Sequence, residues 1–223
     1  KIARVALRVN PDIDAKSHPH ISTGLRSNKF GIGVHQIMEV CRKVSMRDCL
    51  GLVGLHVHVG SQILNLDPLK RAAKMLVGLA EELRAVGITL EHLDIGGGLG
   101  ISYDGRDVPT ASEYAEGVLE VTKNSGMPLI LEPGRAIVGP AGVLVTRVID
   151  VKPQPGGRWF VVVDAGMTEL IRPALYDAYH RIETLSAPFG PEVVCDIVGP
   201  VCETSDVVGL NRMMPLPEVG DLL

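Results

Sequence analysis

The stretch Leu90-Glu-His-Leu-Asp-Ile-Gly-Gly-Gly-Leu-Gly100 decides the fold. Residues 90–95 predict a β-strand, and three glycines follow it directly. A helical pattern precedes this strand, with apolar residues at i, i+3 and i+4 spacing over residues 69–86. A second helix follows it, opened by a Thr110/Glu113 capping box and running to about residue 124. A strand between two helices predicts a parallel sheet with crossover helices.

The same alternation continues outward over the first 135 residues. Residues 5–9 and 52–59 predict strands, residues 35–44 a helix and residues 129–131 a buried strand. Asp67 is the predicted cap of the helix before the glycines, with Pro68 at its first position and Gly87 at its end. The polar and glycine residues follow strands, which is the catalytic face of a (β/α) barrel. A doubly wound sheet predicts a similar placement, so the pattern leaves both architectures open.

The alternation of strand-like and helical patterns ends after Arg135. Residues 143–151, 159–163 and 193–198 are β-rich runs, separated by Pro/Gly clusters such as the one at residues 153–157. This pattern predicts a second, mainly antiparallel β domain that starts near residue 136. The expected organisation is therefore a (β/α) domain over residues 1–135 and a β domain over residues 136–223.

The composition excludes several classes of protein. Hydrophobic residues make up 46% and charged residues 22%, as in ordinary globular domains. A net charge of −4 lacks the excess of basic residues that is typical of proteins that bind nucleic acid or an anionic membrane. No apolar stretch reaches the roughly 20 residues of a membrane span. The four cysteines include no C-x-x-C pair, which favours a reducing cytoplasm.

Two strand-end motifs are candidates for anion or ion-pair chemistry. The cluster Gly96-Gly-Gly-Leu-Gly100 suits backbone N–H groups that approach a phosphate, or alternatively a tight strand-to-helix turn. Its spacing is neither that of a dinucleotide motif nor that of a P-loop. Glu132-Pro-Gly-Arg135 brings a carboxylate and a guanidinium to one strand end, either as functional groups or as a surface ion pair.

Other polar residues also admit two interpretations. His56 and His58 share one face of a strand and could bind a metal, although a core histidine is the commoner case. Ser61, just beyond them, could donate to a phosphate. Cys202 lies in a polar loop, which favours a reactive or proton-donating thiol over a packed one. Arg172 could bind a carboxylate bidentately, with Tyr176 close by, or simply be solvated.

Taken together, these motifs resemble the group IV pyridoxal-phosphate-dependent decarboxylases of the alanine-racemase-like fold, and within them the diaminopimelate decarboxylases. The resemblance runs through the whole chain. It rests on the order and spacing of His18-Pro-His-Ile-Ser-Thr-Gly24, Ser27-Asn-Lys-Phe-Gly31, His58-Val-Gly-Ser-Gln62, Gly96-Gly-Gly-Leu-Gly100, Glu132-Pro-Gly-Arg135, Arg172-Pro-Ala-Leu-Tyr176 and Gly199-Pro-Val-Cys-Glu203.

The resemblance implies that the first part of the chain is the later portion of a TIM barrel that binds pyridoxal 5'-phosphate. His58 resembles the histidine that stacks on the cofactor ring, which replaces the metal interpretation. Glu132 is similar to the carboxylate that pairs with the ring nitrogen, and Arg8 to an arginine near the cofactor. The residues that resemble the phosphate-binding cup are Ser61, Gly98 and, through their backbone, Gly134 and Arg135.

The same resemblance implies decarboxylation of meso-2,6-diaminopimelate to L-lysine. Arg135, Arg172 and Tyr176 resemble the groups that hold the distal carboxylate, and Glu203 the partner of the distal ammonium. Cys202 resembles the acid that protonates the carbanion, contributed by the neighbouring subunit. A homodimer with shared active sites is therefore expected.

The chain departs from the family pattern in one respect. None of its lysines stands in the motif of the Schiff-base lysine, which the family carries upstream of residue 1, and the family's C-terminal tyrosine would lie beyond Leu223. We therefore expect a piece of a longer protein that does not catalyse the reaction alone. The alternatives are a decarboxylase of ornithine, arginine or carboxynorspermidine, a zinc-dependent amidohydrolase, and a non-catalytic homologue.

Overall fold

The computed structural model describes residues 1–14, 29–185 and 190–223. The motif at residues 18–24 and the first two residues of the motif at 27–31 lie outside these ranges. The chain forms two compact units. The first comprises Lys1–Ser102 and Asp107–Ala141, and the second Tyr103–Arg106 and Gly142–Leu223.

The first unit is a parallel sheet with helices between its strands. The sheet has the order β2-β1-β3-β4-β5, and every neighbouring pair is parallel. Its elements are β1 (Ala3–Asn10), β2 (Ile32–Gly33), α1 (Val34–Ser45), β3 (Leu50–Val57), α2 (Asp67–Ala85), β4 (His92–Asp94), α3 (Ala111–Thr122), β5 (Leu129–Ile130), α4 (Gly134–Val138) and a 3-10 turn (Gly139–Ala141). Apart from β2, strands adjacent in the sheet are consecutive in the chain, which confirms the predicted crossover arrangement.

The core of this unit lies between its helices and the sheet, and α2 contributes most of the helical residues. The buried positions of α2 follow the predicted spacing, and Leu76 and Leu83 are fully buried together with Leu55 of β3 and Leu93 of β4. Burying a leucine side chain contributes roughly 2 kcal/mol, so this apolar face of the helix holds it against the strands.

The ends of the helices differ slightly from the prediction. Helix α2 begins at Asp67 rather than after it, because Oδ1 of Asn65 already accepts the Asp67 N–H over 2.9 Å. Gly87 adopts a φ of +82° just past the end of α2, as expected for a helix stop. The capping box of α3 is confirmed: Thr110 Oγ1 accepts the Glu113 N–H, and the Glu113 carboxylate accepts the Thr110 N–H.

The predicted strand over residues 129–131 is present, but the prediction that it is buried was wrong. Strand β5 spans Leu129–Ile130, and Ile130 is 42% exposed. The reason is its position, because β5 is the edge of the described sheet and pairs there with β4. An apolar run by itself does not distinguish an edge strand from a central one.

The second unit is built on a four-stranded sheet of order β6-β7-β8-β9. The outer pairs are antiparallel, whereas β7 and β8 are parallel and are joined by a long connection that carries α5. Its elements are β6 (Val148–Gln154), β7 (Arg158–Val163), α5 (Arg172–Tyr176), β8 (Glu192–Val198) and β9 (Val207–Pro215). Val161, Cys195 and Ile197 are fully buried in its core.

Two predictions for this unit needed correction. The run over residues 143–151 becomes a strand only from Val148, because Val143 and Val145 are exposed and outside the sheet. Strand β9 was not predicted, although it pairs along most of β8. Within the described parts of the chain, no helix has the length and apolarity needed to cross a membrane.

Candidate active site

A row of polar side chains crosses the first unit near the carboxyl ends of its strands. Arg8 of β1 is in register with His56 of β3, and His56 is in register with Asp94 of β4. Partners in register on parallel strands project from the same face of a sheet. Glu132 follows β5, and its Oε2 lies 3.3 Å from Nε2 of His56. Four charged or titratable groups therefore converge at this edge.

His58 is held in one protonation state by its surroundings. Its Nδ1 accepts the backbone N–H of Gly97 over 3.2 Å, and its carbonyl accepts from Nη2 of Arg8 over 3.3 Å. Burial lowers the pKa of His58, and the nearby charges of Arg8 and His56 lower it further. An Nδ1 that accepts a hydrogen bond carries no proton, so the ring is neutral with its proton on Nε2.

The glycine cluster after β4 is required by close packing of the backbone. A Cβ at Gly97 would overlap the carbonyl oxygen of Glu132, and one at Gly98 would overlap that of Gly60. Gly98 also adopts a φ of +110°, which side chains disfavour. The contacts of this tight loop thus explain the glycines without a ligand, and the predicted contact with a phosphate remains a prediction.

The loop after β3 is locked to this glycine loop. The Ile63 N–H donates to the Gly98 carbonyl over 2.9 Å, and the Gly100 N–H donates to the Ile63 carbonyl over 3.0 Å. The Gln62 side chain bridges the same two loops, because its amide nitrogen donates to the Ile101 carbonyl and its oxygen accepts the Ile101 N–H. This interlocking fixes the backbone on either side of Ser61.

Ser61 and Arg135 form a pair of donors next to the glycine loop. Nη2 of Arg135 donates to Oγ of Ser61 over 3.2 Å, although the two residues are 74 positions apart. Arg135 lies in the first turn of α4, where the Gly134 N–H donates to the Glu132 carbonyl over 2.9 Å. A guanidinium and a hydroxyl side by side are the donor types that phosphate oxygens accept. This donor set therefore fits the phosphate of pyridoxal phosphate.

His56, Asp94 and Glu132 form a cluster whose ligand-type atoms lie within 4.8 Å of one another. In the described part of the chain this cluster includes His56 but not His58, whose Nδ1 accepts the Gly97 N–H. The structure therefore places one of the two histidines, rather than both, beside the two carboxylates. Asp94 was missed by the sequence analysis, although a carboxylate at a strand end directly before glycines was a usable signal.

Arg8 lies beside this cluster on β1. Its guanidinium carbon is 4.9 Å from the centre of the Phe30 ring, a cation–π distance. Burial lowers the pKa of Arg8, and the negative charge of Glu132 opposes this effect. Arg8 and Glu132 therefore influence each other electrostatically at the strand ends.

The other predicted site residues lie in the second unit. Arg172 and Tyr176 begin and end helix α5, four positions apart and so on the same side of the helix. Arg172 Nη1 lies 2.8 Å from Nε2 of His180, and its guanidinium carbon is 4.8 Å from the centre of the Tyr103 ring. Neither Tyr103 nor His180 was singled out from the sequence.

Cys202 and Glu203 are exposed in a separate loop that the buried Asp206 organises. Oδ1 of Asp206 accepts the Met167 N–H over 2.6 Å, and Oδ2 accepts the Val201 N–H over 2.7 Å. The predicted residues thus form three groups: one at the strand ends of the first unit, one on α5 and one in this loop. Asp206 was also missed, because an aspartate at the end of a polar loop is usually solvated.

Comparison with known proteins identifies the first group with a cofactor-binding domain. Residues 1–139 match the family described as "Pyridoxal-dependent decarboxylase, pyridoxal binding domain". Diaminopimelate decarboxylase from Neisseria meningitidis serogroup A is 48% identical over 223 residues, which is 100% of this chain and 54% of that protein. The enzyme of the same name from Aquifex aeolicus is 43% identical and is 53% covered.

A solved structure agrees with the fold. The crystal structure of diaminopimelate decarboxylase from Helicobacter pylori complexed with L-lysine matches 99% of this chain and 55% of that one, with a TM-score of 0.94 and 41% identity. The chain therefore spans about half the length of the relatives that it matches. Its parallel α/β unit is part of the TIM barrel of such decarboxylases.

Proposed function

The chain belongs to the pyridoxal-dependent decarboxylase family, and we propose from this that it is part of an enzyme that converts meso-2,6-diaminopimelate to L-lysine. The single observation that carries the proposal is the convergence of Arg8, His58 and Glu132 with the Ser61–Arg135 donor pair at one edge of the parallel sheet. In this proposal the first unit is the later portion of the barrel, and the second unit begins the β domain.

Pyridoxal phosphate is the proposed cofactor, held by residues of the first unit. Ser61 and Arg135, with the backbone of Gly98 and Gly134, would hold its phosphate, since side-chain donors and glycine backbone suit an anion. When bound, the cofactor supplies an electron sink for the electron pair that carbon retains as CO2 leaves.

Two side chains act on the cofactor ring in this proposal. His58 would stack its neutral imidazole on the ring, where a second positive charge would be unfavourable. Glu132 would accept a hydrogen bond from the ring nitrogen and so favour its protonated form. Arg8 lies within electrostatic reach of Glu132, whose negative charge opposes the lowering of the Arg8 pKa by burial.

The substrate carries charges at both ends, and each needs a partner because an unpaired buried charge is unfavourable by several kcal/mol. We propose that Arg135, Arg172 and Tyr176 bind the distal carboxylate and that Glu203 binds the distal ammonium. Cys202 donates the proton that replaces CO2. Its exposed position supports a role toward a second subunit, in a homodimer with shared active sites.

The cysteines support a proposal about the cellular compartment. All four cysteines are free thiols, which supports action in a reducing cytoplasm. The proposed partners are small molecules and a second copy of the enzyme, without nucleic acid or membrane.

The proposal is tested by assaying the full-length polypeptide for lysine formation from meso-diaminopimelate with added pyridoxal phosphate. Activity that disappears in Cys202→Ala and falls strongly in Glu132→Gln supports it. Activity on ornithine or arginine alone would instead identify a related decarboxylase. A full-length polypeptide that binds the cofactor and turns over none of these amino acids would be a non-catalytic homologue.

A further inference from the structure

Three side chains of the second unit contact one another around Arg172. Nη1 of Arg172 lies 2.8 Å from Nε2 of His180, and the guanidinium carbon is 4.8 Å from the centre of the Tyr103 ring. Tyr103 and His180 also meet, with ring centres 4.9 Å apart and an angle of 73° between the ring planes. The contacts close into a triangle whose members come from two distant parts of the chain.

The direction of the hydrogen bond follows from chemistry. A guanidinium has five N–H donors and no acceptor, so His180 must accept at Nε2. A neutral ring that accepts at Nε2 carries its proton on Nδ1, and this defines the tautomer of His180. Tyr103 meets the guanidinium through its π face, where a cation is attracted.

These two contacts restrain different motions of the same group. The hydrogen bond from Nη1 restrains rotation of the guanidinium, and the Tyr103 ring restrains its displacement from the face of that ring. Arginine side chains lose considerable rotamer freedom when they are ordered, so a guanidinium that is already ordered binds a carboxylate with a smaller entropic penalty.

We propose that Tyr103 and His180 are positioning residues that hold the Arg172 guanidinium ready for the distal carboxylate of the substrate. This inference rests on the proposed function, in which Arg172 binds that carboxylate. Tyr103 belongs to the second unit, although its sequence neighbours up to Ser102 and from Asp107 belong to the first. The chain thus leaves one compact unit for a four-residue segment that includes this contact.

The test uses the full-length enzyme and two inhibitors that differ only in one carboxylate. Decarboxylation removes one of the two carboxylates of diaminopimelate, so the product L-lysine retains the distal one, whereas 1,5-diaminopentane has neither. His180→Phe keeps a ring against Tyr103 but removes the acceptor. We expect it to raise the KM for diaminopimelate and the inhibition constant of L-lysine roughly tenfold or more, with kcat within threefold. The inhibition constant of 1,5-diaminopentane stays within twofold.

Conservative variants and a matched control complete the design. His180→Gln retains an acceptor and Tyr103→Phe retains a π face, so each single variant should keep most of the wild-type affinity for L-lysine. Arg181→Gln removes an exposed arginine next to His180 that pairs with Glu183, and it should leave both inhibition constants unchanged. In ¹⁵N NMR spectra of the wild type, the Nδ1 of His180 should be protonated and the Nε2 should not.

The outcomes separate this inference from the proposed function. If the wild type forms lysine but His180→Phe weakens both inhibitors equally, or neither, the positioning role is overturned while the function stands. An Nε2-protonated His180 overturns it as well. A wild type that forms no lysine from diaminopimelate overturns the proposed function, and the inference with it.

Discussion

The backbone N–H of Gly97 donates a hydrogen bond to Nδ1 of His58 over 3.2 Å. This contact links the loop after β4 to the residue that follows β3, and it defines the tautomer of the imidazole. Burial acts in the same direction, because it disfavours the charged ring. The imidazole of His58 is therefore neutral, and the hydrogen bond fixes the orientation of its ring.

We expect the pKa of His58 to lie below the usual range of histidine in the folded full-length protein. Burial is the largest cause, followed by the charges of Arg8 and His56. Below about pH 6.5 the unfolded chain binds a proton that the folded protein does not, so the free energy of unfolding falls as the pH decreases toward the folded pKa. NMR titration of His58 in the folded protein and in urea measures the difference. Equal values in the two states would contradict the prediction.

Gly97→Ala should destabilise the protein by about 2 kcal/mol or more, because its Cβ would overlap the carbonyl oxygen of Glu132 and neither backbone can move freely. Gly78→Ala is the matched control. Gly78 lies inside helix α2 with open space around it, so alanine there should stabilise by about 1 kcal/mol. Urea denaturation of both variants gives the change in the free energy of unfolding, expected to be negative for Gly97→Ala and positive for Gly78→Ala. An unchanged free energy of unfolding in Gly97→Ala would show that the loop relaxes.

Asp196 should make stability fall in acid. Burial raises the pKa of this carboxyl, but the Asn211 N–H, Arg158 and Gln154 all donate to it, and the net pKa is lowered. A lowered pKa stabilises the fold above the unfolded value, and this contribution is lost as the pH falls through the folded value.

The variant Asp196→Asn should lose about 2 kcal/mol at pH 7, since hydrogen bonds to a charged group contribute roughly 1.5–3 kcal/mol. Its stability should also depend less on pH as the pH falls below about 5, where carboxyl groups begin to titrate. Asp150→Asn, an exposed partner of Lys152, is the control and should behave as wild type. Parallel stability curves for Asp196→Asn and wild type over this range would contradict the assignment.

Much of the fold was predictable because its signals are local. The apolar spacing of α2 and the Thr110/Glu113 box depend on residues within one or two turns of each other. The errors concern tertiary position: the exposure of Ile130 depends on β5 being an edge strand, and β9 contains Asn211 at a φ of +54°, where the register with β8 is irregular. No local pattern encodes either fact.

The site was predictable where residues follow strands and less so where their role is to bond to a distant backbone. His58 and Glu132 could be located by strand ends. Gln62 and Asp206 act by accepting or donating backbone hydrogen bonds of other loops, and those partners are set by the three-dimensional structure alone. The glycine cluster could be located in the sequence, but the steric reason for it could not. That reason is the close approach of Gly97 to Glu132 and of Gly98 to Gly60, which only the three-dimensional structure shows.

Ser61→Ala should weaken binding of pyridoxal phosphate to the full-length protein roughly tenfold, with little effect on stability. The hydroxyl accepts from Arg135 and would donate to the phosphate, so its loss removes one donor and leaves the guanidinium less restrained. Arg135→Lys should weaken binding more, since an ammonium cannot reproduce the fork of a guanidinium.

Ser205→Ala, in the exposed loop of the second unit, is the control. Equilibrium dialysis gives the dissociation constants, and because the two donors touch, the double variant should lose less than the product of the single effects. Independent effects would mean that Ser61 and Arg135 do not act on one phosphate.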